Sequence, residues 1–309
     1  MRNGERRVAI AGFGALTPAG NEPAELVRRL LAGESGVAPV VAYPAPPGFC
    51  PFAAEVRGFD VKKHKEFRKS AKVMARDIQL AVGAAKAAVE SAGIAGQVDP
   101  TRFGVNCGAG LIASEHAEHS EAVQHSLVEG AFDIRKWGEA GLDALFPLWM
   151  LKYLPNMPAC HISIAYDAQG PNNSITSGEA SGLLAIGEAF RLIARNDADV
   201  FLAGGADSKV HPLSASRQGM LGTLTKKRTH PAAAVRPFDA DRDGYVPGEA
   251  AAFVVLEAAE HAAARRAKPV AELLGFGSAW RNPAGAAGEE DVGIPAGDQS
   301  GGFADRQQP

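Results

Sequence analysis

The sequence lacks the features that identify several large classes of protein. Only three cysteines occur in 309 residues, Cys50, Cys107 and Cys160, and no two of them form a CxxC pair. This odd number and wide spacing exclude a disulfide scaffold and a cysteine-rich zinc site. The longest apolar runs are interrupted by glycine or charge well before ~20 residues, so they are too short to span a membrane as a helix.

An excess of either charge is also absent. The net charge is −3 and the isoelectric point lies near 6.3, which argues against a nucleic-acid-binding surface. The charged first residues lead into the strand-like segment VAIAGFG rather than into the apolar core of a signal peptide. We therefore expect a cytoplasmic protein that binds neither nucleic acid nor a membrane.

What the sequence does contain is an alternation of strand-like and helix-like apolar segments. Strands are predicted over residues 8–14, 103–107, 161–167, 173–177, 199–203, 251–257 and 270–275. Helices are predicted over residues 23–31, with Asn21 as the N-cap, over 70–92 and 180–194, and in a charged segment that ends near Arg266. Strands that alternate with helices favour an α/β fold with a layered, largely parallel sheet.

The composition changes after Arg281. Residues 281–309 are rich in glycine and proline and contain only three large apolar side chains, Val292, Ile294 and Phe303. Such a segment buries too little apolar surface to offset the entropy lost on ordering. We therefore predict one domain over residues 1–280, followed by a disordered tail over residues 281–309.

Three short patterns are typical of other chemistries, and each is incomplete. The Gly12-x-Gly14 pair resembles the start of a dinucleotide-binding loop but has Thr17 in place of the third glycine. Residues 239–244 resemble the start of a calcium-binding loop, yet Ala250 stands where a carboxylate is needed. A metal could also be considered for the group Glu115, His116, Glu118 and His119, although a solvated helix is the simpler interpretation. We therefore expect no cofactor and no metal.

A longer constellation of segments is far more specific. The segments follow one another in this order: GFG at 12–14, TPAG at 17–20, NM at 156–157, GPN at 170–172, TSGEASG at 176–182, AIGEA at 185–189, DADV at 197–200, AGGAD at 203–207, RPFD at 236–239, RDG at 242–244 and GE at 248–249. Over residues 6–280 the chain resembles the β-ketoacyl-acyl-carrier-protein synthases of the thiolase superfamily. The elongating ketosynthases of fatty acid and polyketide synthesis are the most similar type.

The resemblance implies a fold, a chemistry and partners. The fold is a thiolase-like layered αβα arrangement, of which this chain carries the N-terminal half. The chemistry of the family is acyl transfer of the 3-oxoacyl-carrier-protein synthase type. The implied partners are an acyl carrier protein and a second synthase chain, either an active ketosynthase in a heterodimer or another copy in a homodimer.

In this family the helix that follows the GPN segment begins at a catalytic cysteine. Amides at the helix N-terminus stabilise its thiolate, and neighbouring backbone N–H groups stabilise the oxyanion of the tetrahedral intermediate. Counting forward from Gly170-Pro171 and backward from Ile186-Gly187 leads to the same position, which is occupied by Glu179. The resemblance therefore predicts that Glu179 replaces the nucleophile.

A carboxylate is a poor acyl acceptor, because a mixed anhydride lies well above a thioester in free energy. We therefore expect a condensation-incompetent, chain-length-factor-like partner of an active ketosynthase. Two alternatives stay open: a malonyl-carrier-protein decarboxylase that uses a protonated Glu179, and a truncated fragment with no function of its own. Ser177 and Ser181 flank Glu179, but no base stands at a matching spacing, so a role at the helix start is expected for both.

The family also has a second half, which carries two histidines, a lysine and a glycine-rich phenylalanine loop, and no matching motifs occur in this sequence. Each half of a thiolase fold covers one side of the other's sheet and central helix. We therefore expect uncovered apolar side chains at Leu183, Leu184, Ile186 and Phe190. Covering ~1,000 Å² of such surface is worth on the order of 25 kcal/mol before ordering costs. Either a partner supplies that cover or the chain is unstable alone.

Overall fold

A computed structural model of the protein describes residues 5–45 and 49–279. The tail predicted over residues 281–309, and with it the boundary predicted at residue 280, lies outside this part of the chain. Within the described residues, no helix is both long enough and apolar enough to cross a membrane.

Strands and helices alternate along the chain. The strands are β1 (Val8–Leu16), β2 (Val37–Pro39), β3 (Phe52–Ala54), β4 (Phe103–Gly108), β5 (Leu127–Val128), β6 (Ala131–Phe132), β7 (Asn172–Ile175), β8 (Val200–Ser208), β9 (Glu249–Ala258) and β10 (Ala271–Leu273). The helices are α1 (Pro23–Leu31), α2 (Arg76–Ala92), α3 (His116–His125), α4 (Ile134–Lys136), α5 (Met157–Tyr166), α6 (Ser181–Ala194), α7 (Pro212–Met220) and α8 (Ala259–Ala264). Short 3₁₀ turns lie at Val61–Lys63, Ala71–Val73, Pro100–Arg102, Trp149–Lys152 and Pro231–Ala233, and a π-helical turn at Trp137–Gly141.

The central sheet has six strands in the order β10-β1-β9-β8-β4-β7. β4 runs parallel to β7 and β8, whereas the pairs β8–β9, β9–β1 and β1–β10 are antiparallel. The prediction of a largely parallel sheet is therefore wrong, because the sheet is mixed. Alternation of strands and helices predicts the layers, but the long connection from β8 to β9 allows the chain to return in the opposite direction.

Helices cover both faces of this sheet, so the layered αβα arrangement is confirmed. α2 lies against β1, β9 and β8 on one face, and α6 lies against β8 and β4 on the other. Side chains of β8 alternate between the two cores: Leu202 packs in the cluster that contains Ile78 of α2, and Phe201 packs in the cluster that contains Ile193 of α6. Because successive side chains of a strand point to opposite faces, the same strand packs against both helix layers.

Two glycines of β1 let α2 approach the sheet closely. A Cβ atom on Gly12 would overlap Ala92, and a Cβ atom on Gly14 would overlap the backbone of Ala84 and Ala88. The Gly12-x-Gly14 pair therefore lies inside β1 and serves helix–sheet packing.

Residues 161–166 are helical, which contradicts the strand predicted over residues 161–167. α5 has Pro158 in its first turn and ends before Asp167, whose backbone is left-handed (φ 51°). The helix buries Ile162 among residues of α2, while Ile164 is exposed. The periodicity of a short apolar run does not distinguish a buried strand from a buried helix, and the run at 161–167 has only seven residues.

Two predicted helix starts also differ from the structure. Glu22 rather than Asn21 precedes α1, because the Asn21 side-chain amide donates a hydrogen bond to the Arg57 carbonyl (2.6 Å) instead. The helix predicted from residue 70 is a 3₁₀ turn followed by an extended break, and α2 begins at Arg76. The strand predicted over residues 173–177 corresponds to β7, and the helix predicted over 180–194 to α6.

Candidate functional site

The turn between β7 and α6 presents Glu179 to solvent at the N-terminal end of the helix. Gly178 has a left-handed backbone (φ 59°), which favours glycine, and reverses the chain just before α6. The buried Ser181 hydroxyl closes the turn: it accepts a hydrogen bond from the Ser177 N–H (2.7 Å) and donates one to the Gly178 carbonyl (2.6 Å). Ser181 is therefore engaged in holding the helix start, as expected for it.

Glu179 lies at the edge of an open cavity of about 460 Å³. The walls of the cavity come from the carboxyl ends of β4 and β8, the first turn of α6 and the start of β9. Glycines allow these elements to meet, since a Cβ atom on Gly108 would overlap the backbone at Gly182, and one on Gly204 would overlap the Ala252 carbonyl. Carboxyl ends of parallel strands beside a helix N-terminus are a common place for a binding or catalytic site.

Two carboxylates line this cavity. Asp207 at the end of β8 pairs with Lys209, whose Nζ lies 2.6 Å from Oδ2. Glu179 has no such partner among the lysine and arginine side chains that the structure describes. Of the two carboxylates, Glu179 is therefore the one without a salt bridge in the described part of the chain.

None of the three cysteines lines this cavity. Cys107 lies inside the sheet, and complete burial raises the pKa of its thiol to about 12. Cys50 is buried in a separate small cluster, where desolvation also raises its pKa. Cys160 is on α5, where its Sγ accepts a hydrogen bond from the Asn156 amide (3.6 Å). A reactive thiolate is thus not available at the start of α6 from the described residues.

The metal sites considered from the sequence are not formed within residues 5–45 and 49–279, where no group of three histidine, cysteine or acidic residues has suitable geometry. Glu118 accepts a hydrogen bond from the Tyr153 hydroxyl (2.6 Å), and His119 contacts the edge of the Trp149 ring. In the segment 239–244 the carboxylates accept hydrogen bonds from neighbouring loop residues.

The outward face of α6 is only partly covered. Leu183 is 70% exposed at the cavity edge, whereas Leu184, Ile186 and Phe190 are half-buried. The expected uncovered surface is therefore present at Leu183 and smaller at the other three positions.

Phe276 provides part of that cover. Its ring lies over Gly187, where a Cβ atom would overlap it, and the Arg191 guanidinium stacks 5.1 Å from the ring centroid. The chain after β10 thus crosses the outer face of α6.

Asp207 and Lys209 are not predicted from the sequence as site residues, although Asp207 ends the AGGAD segment. Asp207 could have been found from its position at the carboxyl end of a buried strand, because binding sites in such sheets form at that edge. Asp77, Tyr43 and His211, which line a second cavity on the opposite side of β8, are missed altogether because no motif contains them.

Comparison with known proteins gives a consistent result. Residues 5–262 match the model of the β-ketoacyl synthase N-terminal domain. The chain is similar to two curated proteins called 3-oxoacyl-[acyl-carrier-protein] synthase 2: that of Coxiella burnetii, with 36% identity over 88% of this chain and 63% of the relative, and that of Vibrio cholerae, with 35% identity over the same shares. The chain therefore spans slightly under two thirds of the length of these relatives.

Solved structures show the same likeness. A β-ketoacyl synthase from Burkholderia phymatum has a TM-score of 0.73 and 32% identity, with 88% of this chain and 64% of that chain covered. The ishigamide ketosynthase/chain length factor has a TM-score of 0.72 and 26% identity, with 88% and 63% covered. A type II polyketide synthase acyl-carrier protein in complex with its ketosynthase has a TM-score of 0.67 and 28% identity, with 87% and 62% covered.

Proposed function

Since the chain belongs to the β-ketoacyl synthase family and has the thiolase-like fold of that family, we propose that it is a condensation-incompetent, chain-length-factor-like partner of an active ketosynthase in fatty acid or polyketide synthesis. The observation that carries this proposal is the residue at the start of α6. Glu179 stands at the cavity edge where the family resemblance places the nucleophilic cysteine, and no described cysteine replaces it.

A surface suited to a protein partner supports the proposal. In the segment 123–150, nine large apolar side chains are between 38% and 69% exposed: Val123, Leu127, Val128, Phe132, Ile134, Leu142, Phe146, Leu148 and Met150. We call this the 123–150 apolar surface. Apolar surface on this scale is typical of an interaction site rather than of an isolated monomer. A ketosynthase chain is the proposed occupant, because one of the similar structures is described as a ketosynthase/chain length factor.

The acyl carrier protein is the second proposed partner. A similar structure contains a type II polyketide synthase acyl-carrier protein in complex with its ketosynthase. In the proposed assembly, which would act in the cytoplasm, the active ketosynthase performs the condensation and this chain contributes binding surface. Alternatively, two copies of this chain pair through the same surface and form a homodimer.

Decarboxylation of a malonyl group by Glu179 is the competing enzymatic function. The charge of an ionised Glu179 opposes it, because Glu179 lines the cavity that would receive the malonyl carboxylate. We therefore treat decarboxylation as an outcome of the test and not as the preferred function.

The test combines binding and product analysis. We expect the full chain, co-expressed with an elongating ketosynthase from the same organism, to elute with it as a stable complex in size-exclusion chromatography. With malonyl-acyl carrier protein, the purified chain should release carbon dioxide no faster than buffer, and Glu179→Ala should change nothing.

Three results would contradict the proposal. Carbon dioxide release that Glu179→Ala abolishes and that the wild-type chain performs alone would establish the decarboxylase. A β-ketoacyl product formed by the chain without a ketosynthase would show that it condenses. A monomer that neither binds a ketosynthase nor releases carbon dioxide would favour a non-functional fragment.

A further inference from the structure

A second cavity, of about 360 Å³, lies on the other side of β8 from Glu179. It forms where β3, the start of α2 and the connection from β8 to α7 come together. Successive residues of β8 divide the two sites, since Asp207 lines the first cavity and Ser208 lines the second. This second cavity plays no part in the function proposed above, and the inference does not depend on that function.

The cavity contains a buried carboxylate that has no cation of its own. Asp77 is only 5% exposed and accepts a hydrogen bond from the Ser208 N–H (2.9 Å). Two cations of this region are already paired, Arg76 with Glu249 (2.8 Å) and Lys209 with Asp207. Burying an unpaired carboxylate is costly, so a cation bound beside ionised Asp77 would offset that cost.

Two further polar groups of the cavity wall lack hydrogen-bond partners. Tyr43 is 7% exposed, and its hydroxyl has no partner among the described residues. His211 accepts a hydrogen bond from the Leu213 N–H at Nδ1 (3.2 Å), so Nε2 carries the proton of the neutral ring and can donate. That Nε2 has no hydrogen-bond partner in the described part of the chain and lies 3.5 Å from the Glu115 carboxylate.

We propose that this cavity binds a small organic ammonium ion that also carries a neutral oxygen. The ammonium group would pair with Asp77, and the oxygen would accept hydrogen bonds from the Tyr43 hydroxyl and the His211 Nε2–H.

The charges of the wall select against other ligands. Apart from the Arg76–Glu249 pair and the rings of Tyr43 and His211, the ionisable groups that line the cavity are the carboxylates of Asp77, Glu55 and Glu115. They repel anions, and the described residues offer no arrangement suited to a metal ion. A cavity of this volume accommodates a small molecule.

Ethanolamine is the probe for this site, with ethylene glycol as the uncharged control and acetate as the anionic control. We expect millimolar ethanolamine to raise the melting temperature of the full chain and to give a saturable heat in titration calorimetry, while both controls do neither. Asp77→Asn keeps the shape and the acceptor for the Ser208 N–H but removes the charge, and should weaken binding by about tenfold or more. Tyr43→Phe should weaken it several-fold.

A matched control is Asp60→Asn, which neutralises an exposed carboxylate whose oxygen accepts a hydrogen bond from the Lys62 N–H (2.9 Å). This variant should bind ethanolamine as the wild type does. The proposal is overturned if ethanolamine and ethylene glycol act alike, because ordered water would then suffice to satisfy the polar groups. It is equally overturned if acetate binds, or if folded Asp77→Asn binds ethanolamine with unchanged affinity.

Discussion

At the scale of the residue, Asp77 couples the stability of the chain to pH. Burial raises the pKa of Asp77 to about 7, because desolvation outweighs the hydrogen bond from the Ser208 N–H. The native state therefore holds this proton more tightly than the unfolded chain, in which an aspartate has its ordinary pKa of 3.8. The contribution is fully present below pH ~4 and is lost as the pH rises towards ~7.

We predict that Asp77→Asn stabilises the protein at pH 8 by on the order of 2–4 kcal/mol, because an amide can be buried without the desolvation cost of a charge. Urea unfolding followed between pH 4 and pH 8 measures this effect. The wild type should lose stability over that range and the variant should lose less. A variant that is less stable than the wild type at pH 8 would show that Asp77 is already well compensated.

The sequence reveals Glu179 but not Asp77. Glu179 stands within a motif whose spacing can be counted from both sides, so its place before α6 follows from sequence alone. Asp77 belongs to no motif, and its burial depends on how the start of α2 meets β8, residues far apart in the chain. Tyr43 and His211 were missed for the same reason, because the second cavity is assembled from distant segments.

At the scale of the element, the residues at the ends of a helix decide whether its bounds can be predicted from the sequence. α1 has a proline in its first turn and a glycine beyond its end, and its bounds are those predicted, residues 23–31. α5 is as apolar as a buried strand over its short length, and its start signals, Asn156 and Pro158, lie several residues before the segment predicted as a strand. The direction of β9 relative to β8 also cannot be predicted from the sequence, because it depends on the path of the chain between the two strands.

The contact between β1 and α2 makes a prediction at this scale. Gly14→Ala should destabilise the chain by about 2–3 kcal/mol, because the added methyl group forces β1 away from the α2 backbone. Thermal unfolding compared with Gly138→Ala gives a matched control, since nothing lies within 4 Å of a Cβ atom at Gly138. The control should change the stability by less than about 0.5 kcal/mol. Equal effects of the two substitutions would contradict the packing role of Gly14.

At the scale of the whole molecule, the family and the layered architecture could be predicted from the order of motifs. The mixed sheet could not, and neither could the 123–150 apolar surface. Residues 113–136 are polar on average, so their composition does not single them out as an interaction surface. Their large apolar side chains become informative when the structure shows that they are exposed rather than folded inward.

The 123–150 apolar surface makes a prediction about assembly. Ile134 is exposed on α4, and Ile134→Glu should weaken binding to the ketosynthase by at least about tenfold, because a buried charge replaces apolar contact. Leu31→Glu changes an even more exposed apolar residue on α1 and should leave binding intact. Co-elution of purified chains at several concentrations measures both. If both variants bind like the wild type, the interface lies elsewhere.

The placement of the cysteines has a practical consequence for following such an assembly. Cys50 and Cys107 are enclosed, whereas Cys160 on α5 is only half-buried. A maleimide dye added to the folded chain will therefore attach at one position without any engineered substitution. Fluorescence from that position offers a direct optical readout of association, and slow labelling of the remaining two thiols would signal that the layers have opened.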